Sequence, residues 1–167
     1  PHLPPARGVV TRKLSILQCS DLHFGRDADL DQIAALEGLV ADLAPTAVAI
    51  AGDLTQRARH GEFQRALVMV QTLRQLAPTL VVPGNHDVEW WTTPFGVLGA
   101  HPKYEKYRRY FGNDLTPTLV VSGAVLSGAL TSYGVAAGSM TYNLNDMAVK
   151  GHLPASETER ARSRFEA

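Results

Sequence analysis

Three apolar runs of the sequence end in residues that bind metals or move protons. "LQCSDLHFG" (residues 17–25) carries Asp21 and His23, "VAIAGDLTQR" (residues 48–57) carries Asp53, and "VVPGNHDVEW" (residues 81–90) carries Asn85, His86 and Asp87. Asp53 follows Asp21 by 32 residues, and Asn85 follows Asp53 by another 32. Carboxylate, imidazole and amide oxygen together suit a hard or borderline divalent ion such as Mn, Fe or Zn. A carboxylate such as Asp53 can bridge two ions, and two ions about 3.5–4 Å apart stabilise both the attacking and the leaving oxygen of an in-line displacement. Gly52 and Gly84 stand just before Asp53 and Asn85, where they let the backbone turn sharply and leave space for an oxyanion. Each fragment alone reads more often as a strand-end turn, because Gly, Asn and Asp favour such conformations. Their shared position at three strand ends carries the metal reading.

The elements that must position these residues alternate. Residues 13–19 read as a strand. Residues 30–44 then place Leu30, Ile33, Leu36, Val40 and Leu43 at helical spacing, and Pro45 stops the helix. Residues 46–51 form a continuous apolar strand, as expected for one covered on both faces. Phe63, Leu67, Val70 and Leu73 repeat the helical pattern, Pro78 ends it, and residues 79–82 are the third strand. Strand–helix–strand–helix–strand predicts parallel strands joined by right-handed crossovers. Each 32-residue step is one such unit, so the polar clusters gather at the carboxyl ends of neighbouring strands, where ligands of α/β sheets collect. After about residue 95 the pattern changes. Residues 101–112 suggest a helix, and residues 118–123, 124–132 and 140–145 suggest short hairpin-like strands. Residues 151–165 suggest a last helix, with Ser156 and Glu159 spaced as a capping box.

The 167 residues suffice for one compact domain, read here as a tail over residues 1–13 and a domain over residues 14–167. The tail starts without Met, is rich in Pro, and has no apolar core of a signal peptide. Sixteen basic residues balance sixteen acidic ones, which points to neither a nucleic-acid nor a membrane surface. No apolar stretch approaches the roughly 20 residues needed to span a bilayer. The single cysteine, Cys19, excludes an internal disulfide framework and fits a reducing, cytoplasmic setting.

The motifs "DLH" (residues 21–23), "GDLTQR" (residues 52–57) and "GNHD" (residues 84–87) resemble the opening motifs of the calcineurin-like metallophosphoesterase superfamily. "SDLHFGR" and "GDLTQRA" are similar in style to its bacterial cyclic-nucleotide-phosphodiesterase-like branch. The resemblance is specific as far as Val88 and looser beyond. It implies an α/β/β/α sandwich and a dinuclear hydrolase using two divalent ions, with Mn, Fe and Zn as candidates. Asp21, His23 and Asp53 would hold the first ion, and Asp53 would bridge to a second that Asn85 also binds. A metal-bridging hydroxide would attack phosphorus. His86 would protonate the leaving oxygen or stabilise the charged phosphorane, with Asp87 orienting its ring. The implied substrate is a phosphate ester, most specifically a phosphodiester, with a nucleotide as one candidate. The superfamily's later histidine motifs have no counterpart here. Only Gly151-His152 comes near, and His152 reads as a surface-loop residue. The sandwich is therefore expected to be incomplete, with an open edge and an apolar face that favour self-association.

Other candidates divide between chemistry and packing. Arg57, beside the Asp53 loop, could receive a phosphate bidentately, as could Arg59. Tyr104, Tyr107, Arg108 and Phe111 could stack on bases, but helix packing explains the same spacing. Trp90 and Trp91 could wall a cleft or fill a core. Two functional classes compete: a metal-dependent phosphoesterase, and a catalytically impaired binding scaffold of the same fold. A nucleotide-binding α/β module is set aside because no Gly-rich phosphate loop follows the first strand.

Overall fold

The computed structural model describes residues 13–26, 28–89, 103–132, 151 and 153–166. The elements follow in the order β1 (Ile16–Cys19), α1 (Leu30–Leu43), β2 (Ala47–Ala51), α2 (His60–Leu76), β3 (Thr79–Val82), α3 (Glu105–Phe111), β4 (Thr118–Val121), β5 (Ala124–Ser127) and α4 (Ala155–Glu166). The strand expected at 140–145, and His2, Trp90, Trp91, His101 and His152, lie outside the described residues.

β1, β2 and β3 pair in parallel in that spatial order, as the alternating pattern predicts. α1 starts where the Asp29 carboxylate accepts from the Asp31 and Gln32 amides at 3.1 and 3.0 Å. This N-cap satisfies donors that the helix cannot. α1 ends at Ala44, whose φ of 42° and N–H bond to the Val40 carbonyl turn the chain into Pro45. Its packed stripe is short: Ile33, Leu36 and Val40 join the core, while Leu30 and Leu43 stay exposed. α2 buries Phe63, Ala66, Met69, Val70 and Leu73. These side chains meet Val48, Ile50 and Val81 from one face of the sheet. Successive strand residues point to opposite faces, so Ala49, Ala51, Leu80 and Val82 belong to the other face.

That other face meets the β4–β5 hairpin across a cavity of about 360 Å³, lined by Ala49, Leu80, Val82 and Leu126 among others. α4 lies beyond the hairpin. Its Arg164 guanidinium donates to the Thr116 carbonyl, to Ser127 Oγ and to the Gly128 carbonyl. Glu157, 3 % exposed, accepts from the Leu130 amide and pairs with Arg160. Helices, sheet, hairpin and terminal helix thus stack in the α/β/β/α order. Among the described residues β1 ends the sheet on one side, and Leu14 and Ile16 are 45 % and 46 % exposed.

One expectation changes. α4 already begins at Ala155, and the Glu157 and Thr158 amides bond the Pro154 carbonyl, so Ser156 sits inside the first turn and not at the N-cap. Pro154, with no N–H to satisfy, takes the position before the helix instead. The aromatic residues of α3 pack inward. Tyr107 is 1 % exposed, donates to the Val81 carbonyl, and meets Phe63 and Phe111 edge-on or tilted, while Tyr110 stacks on Phe63. Burial and the nearby Asp87 raise the Tyr107 phenol pKa, so it stays a neutral donor.

Candidate metal centre

Parallel register brings the three polar clusters together. Ala51 pairs with Val82, so two residues further along Asp53 faces Gly84. Cys19 pairs with Ile50, and the ladder resumes past the strand ends where Phe24 bridges Thr55. Between these points the Asp21 amide donates to the Gly52 carbonyl at 3.3 Å and the His23 amide to the Asp53 carbonyl at 2.9 Å. Asp21, His23 and Asp53 all sit at positive φ, 59°, 43° and 53°. Non-glycine residues seldom adopt that region, and clusters of them mark places where backbone strain is held for function.

Donor atoms of His23, Asp53 and His86 converge to within 4.8 Å of one another, all on partly buried residues. The two imidazole rings meet edge to face with centroids 4.6 Å apart. His23 Nδ1 is buried and finds no hydrogen-bond partner among the described residues. An unpaired buried polar atom is costly unless something else satisfies it. Two imidazoles and a carboxylate make a donor set for Mn, Fe or Zn, so the residues present fit such an ion. The set differs from the one expected from sequence, since His86 stands in the triad and Asp21 beside it. The Asp21 carboxylate lies 3.6 Å from His23 Nε2, with its side chain 65 % exposed. Asn85 occupies the same turn as His86, its carbonyl accepting from Val88 at 3.4 Å.

The ring of His86 is held by the main chain. Its Nδ1 lies 2.8 Å from the Gln56 carbonyl, which can only accept, so Nδ1 carries a proton and Nε2 is left as the atom available to a ligand or a proton. Its amide donates to Asp53 Oδ1 at 2.8 Å. This corrects the expectation that Asp87 orients the His86 ring. The Asp87 carboxylate is fully buried and accepts from the Leu54 amide (3.1 Å), the Thr55 amide (2.8 Å), the Thr55 hydroxyl (2.9 Å) and the Gly84 amide (2.9 Å). All its accepting capacity is spent between the two loops. Burial pushes its pKa up to about 6 against the pull of those hydrogen bonds.

The loop from Asp53 into α2 is braced by Glu62, 6 % exposed, whose carboxylate accepts from the Arg57 and Arg59 amides at 2.8 and 3.2 Å. Arg57 itself is exposed on this loop. Lys106 Nζ reaches across from α3 to the Ala58 carbonyl at 3.1 Å and to Glu89. Sequence reasoning assigned no role to Thr55, Gln56 or Glu62. Only Glu62 had a legible signal, as a Glu three residues into a helix preceded by a loop.

A parallel α/β sheet with an imidazole–carboxylate–imidazole cluster at its carboxyl edge is a candidate divalent-metal site on an α/β fold. The family model for calcineurin-like phosphoesterase matches residues 14–160, and the chain belongs to that family. Metal-dependent hydrolysis of phosphate esters is the general chemistry of the class. No curated protein matches the sequence.

Proposed function

We propose that this chain hydrolyses phosphodiesters at a centre for two divalent ions. His23 and Asp53, with Asp21 alongside, would hold the first, and Asp53 and Asn85 would hold the second. The observation that carries the reading is the convergence of His23, Asp53 and His86 at the ends of adjacent parallel strands. When bound, such ions polarise a phosphoryl oxygen and lower the pKa of water. The chain's own residues do the rest. His86, its Nδ1–H committed to the Gln56 carbonyl, offers Nε2 as the atom that can hold a proton for the leaving oxygen. Exposed Arg57 is the candidate for gripping the non-bridging phosphate oxygens. A phosphate diester is the substrate class these groups suit, with a nucleotide as one candidate.

The test uses the purified chain with Mn and two chromogenic esters, bis(p-nitrophenyl) phosphate and p-nitrophenyl phosphate. The diester is expected to turn over faster, with the activity removed by a chelator and restored by Mn. Faster monoester turnover would end the diester assignment. No metal-dependent turnover of either ester would leave the binding-scaffold reading of the same fold.

A further inference from the structure

Thr55 is one residue beyond Leu54 in the loop that presents Asp53, and it is fully buried. Its hydroxyl lies 2.9 Å from Asp87 Oδ1 and 3.1 Å from the His86 carbonyl, and it accepts from the Ala58 amide at 3.2 Å. One hydroxyl proton serves either of the two acceptors, while the lone pairs take the Ala58 amide. Asp87 extends the junction by holding the Leu54, Thr55 and Gly84 amides. The loop carrying Asp53 and the turn carrying His86 are about thirty residues apart in sequence. Every bond between them named here involves main chain or the Thr55 and Asp87 side chains, apart from the bonds of Asp53 and His86 themselves.

We propose that Thr55 is a positioning residue of the metal centre: through Asp87 and the His86 carbonyl, its hydroxyl sets the separation of the Asp53 carboxylate from the His86 imidazole. The proposal rests on the metal reading above and goes beyond it by naming what fixes the ligand spacing. Thr55 touches no ion and no substrate. It acts because the Asp53 carboxylate, proposed to hold both ions, is tied to the His86 amide and lies with the His23 and His86 donor atoms inside 4.8 Å. A shift of the His86 turn therefore moves a metal ligand, and loss of groups that orient ligands costs about 10–100-fold in metal affinity.

The test compares Mn binding by calorimetry in the wild-type chain, Thr55→Val and Thr55→Ser, well below the melting temperature of each. Valine keeps the shape and removes the hydroxyl. Thr55→Val is expected to weaken Mn binding about tenfold or more, and Thr55→Ser to restore most of it. Wild-type affinity in Thr55→Val would overturn the proposal and leave the metal reading standing. Absence of Mn binding in the wild-type chain would overturn both. Should Thr55→Val fail to fold, amide exchange on the wild-type chain decides. Zinc added alone is expected to slow exchange at Leu54, Thr55, Ala58 and Gly84, whose amides touch Asp87 or Thr55. Unchanged exchange with zinc bound would overturn the proposal.

Discussion

Gly84→Ala is expected to cost the protein both stability and its metal site. An added Cβ at this position would stand 2.1 Å from Asp53 Oδ1 and 2.3 Å from the Asp53 backbone nitrogen. A flexible side chain could swing away from such a contact, but the Asp53 backbone cannot. Gly52, at φ 89°, closes the other side, since a Cβ there would meet the Gly84 Cα at 2.9 Å. The two glycines touch because the register sets the end of β2 against the end of β3, and there the chain has room for backbone only. Overpacking of this kind costs about 3 kcal/mol. At about 2–4 °C per kcal/mol for a chain of this size, the melting temperature should fall by roughly 6–12 °C. Mn binding should weaken in step, because Asp53 is the group displaced. Gly38→Ala is the matched control: it lies inside α1 with nothing within 4 Å, so relief of helical glycine should stabilise by about 0.5–1 kcal/mol. A Gly84→Ala protein that melts and binds Mn like the wild type would refute the packed junction.

Asp53 should show the largest functional loss of any single position. Its carboxylate is one of three converging donors and also takes the His86 amide at 2.8 Å. Asp53→Ala removes both roles, and its stability and binding effects would be mixed. Asp53→Asn separates them, since the amide oxygen still accepts from His86 while the negative charge is gone. Asp53→Asn should therefore keep nearly the wild-type melting temperature and lose Mn affinity by about a hundred-fold or more, beyond the usual cost of losing an outer partner. Diester turnover should fall to background in both variants. Mn affinity retained in Asp53→Asn would mean that the ion, if bound, sits elsewhere.

Much of this was legible before any coordinates. The three parallel strands, both crossover helices and the turn at each strand end follow from apolar periodicity broken by Pro45 and Pro78. Equal 32-residue steps place Asp21, Asp53 and Asn85 on adjacent strands, and those residues do lie at neighbouring strand ends. What did not follow was the wiring between them. Asp87 reads from sequence as a partner for the neighbouring imidazole, yet the His86 ring bonds the main chain of Gln56, and Asp87 bonds amides some thirty residues away. Backbone carbonyls and amides are the same at every position, so no residue type announces which of them will be used. The Thr55 hydroxyl is silent for the same reason. The place of His86 within the triad, with Asp21 beside it, depends on loop torsions that no periodicity encodes. The missed cap of α4 is a smaller case: Ser156 and Glu159 had the right spacing, but Pro154 started the helix two residues too early for it.

The left-handed torsions of Asp21, His23 and Asp53 carry a consequence for how this protein would respond to selection. Residues held in sparsely populated regions cost of order 1–3 kcal/mol each, and glycine would remove that cost at any of the three. A library varied at positions 21, 23 and 53 and sorted for heat resistance alone should drift toward glycine. The same library sorted for metal retention should reject glycine at 23 and 53. If both sorts kept the native residues, the backbone at these positions would be relaxed. If they diverge, the folding energy that evolution left unclaimed lies in the residues that hold the ion.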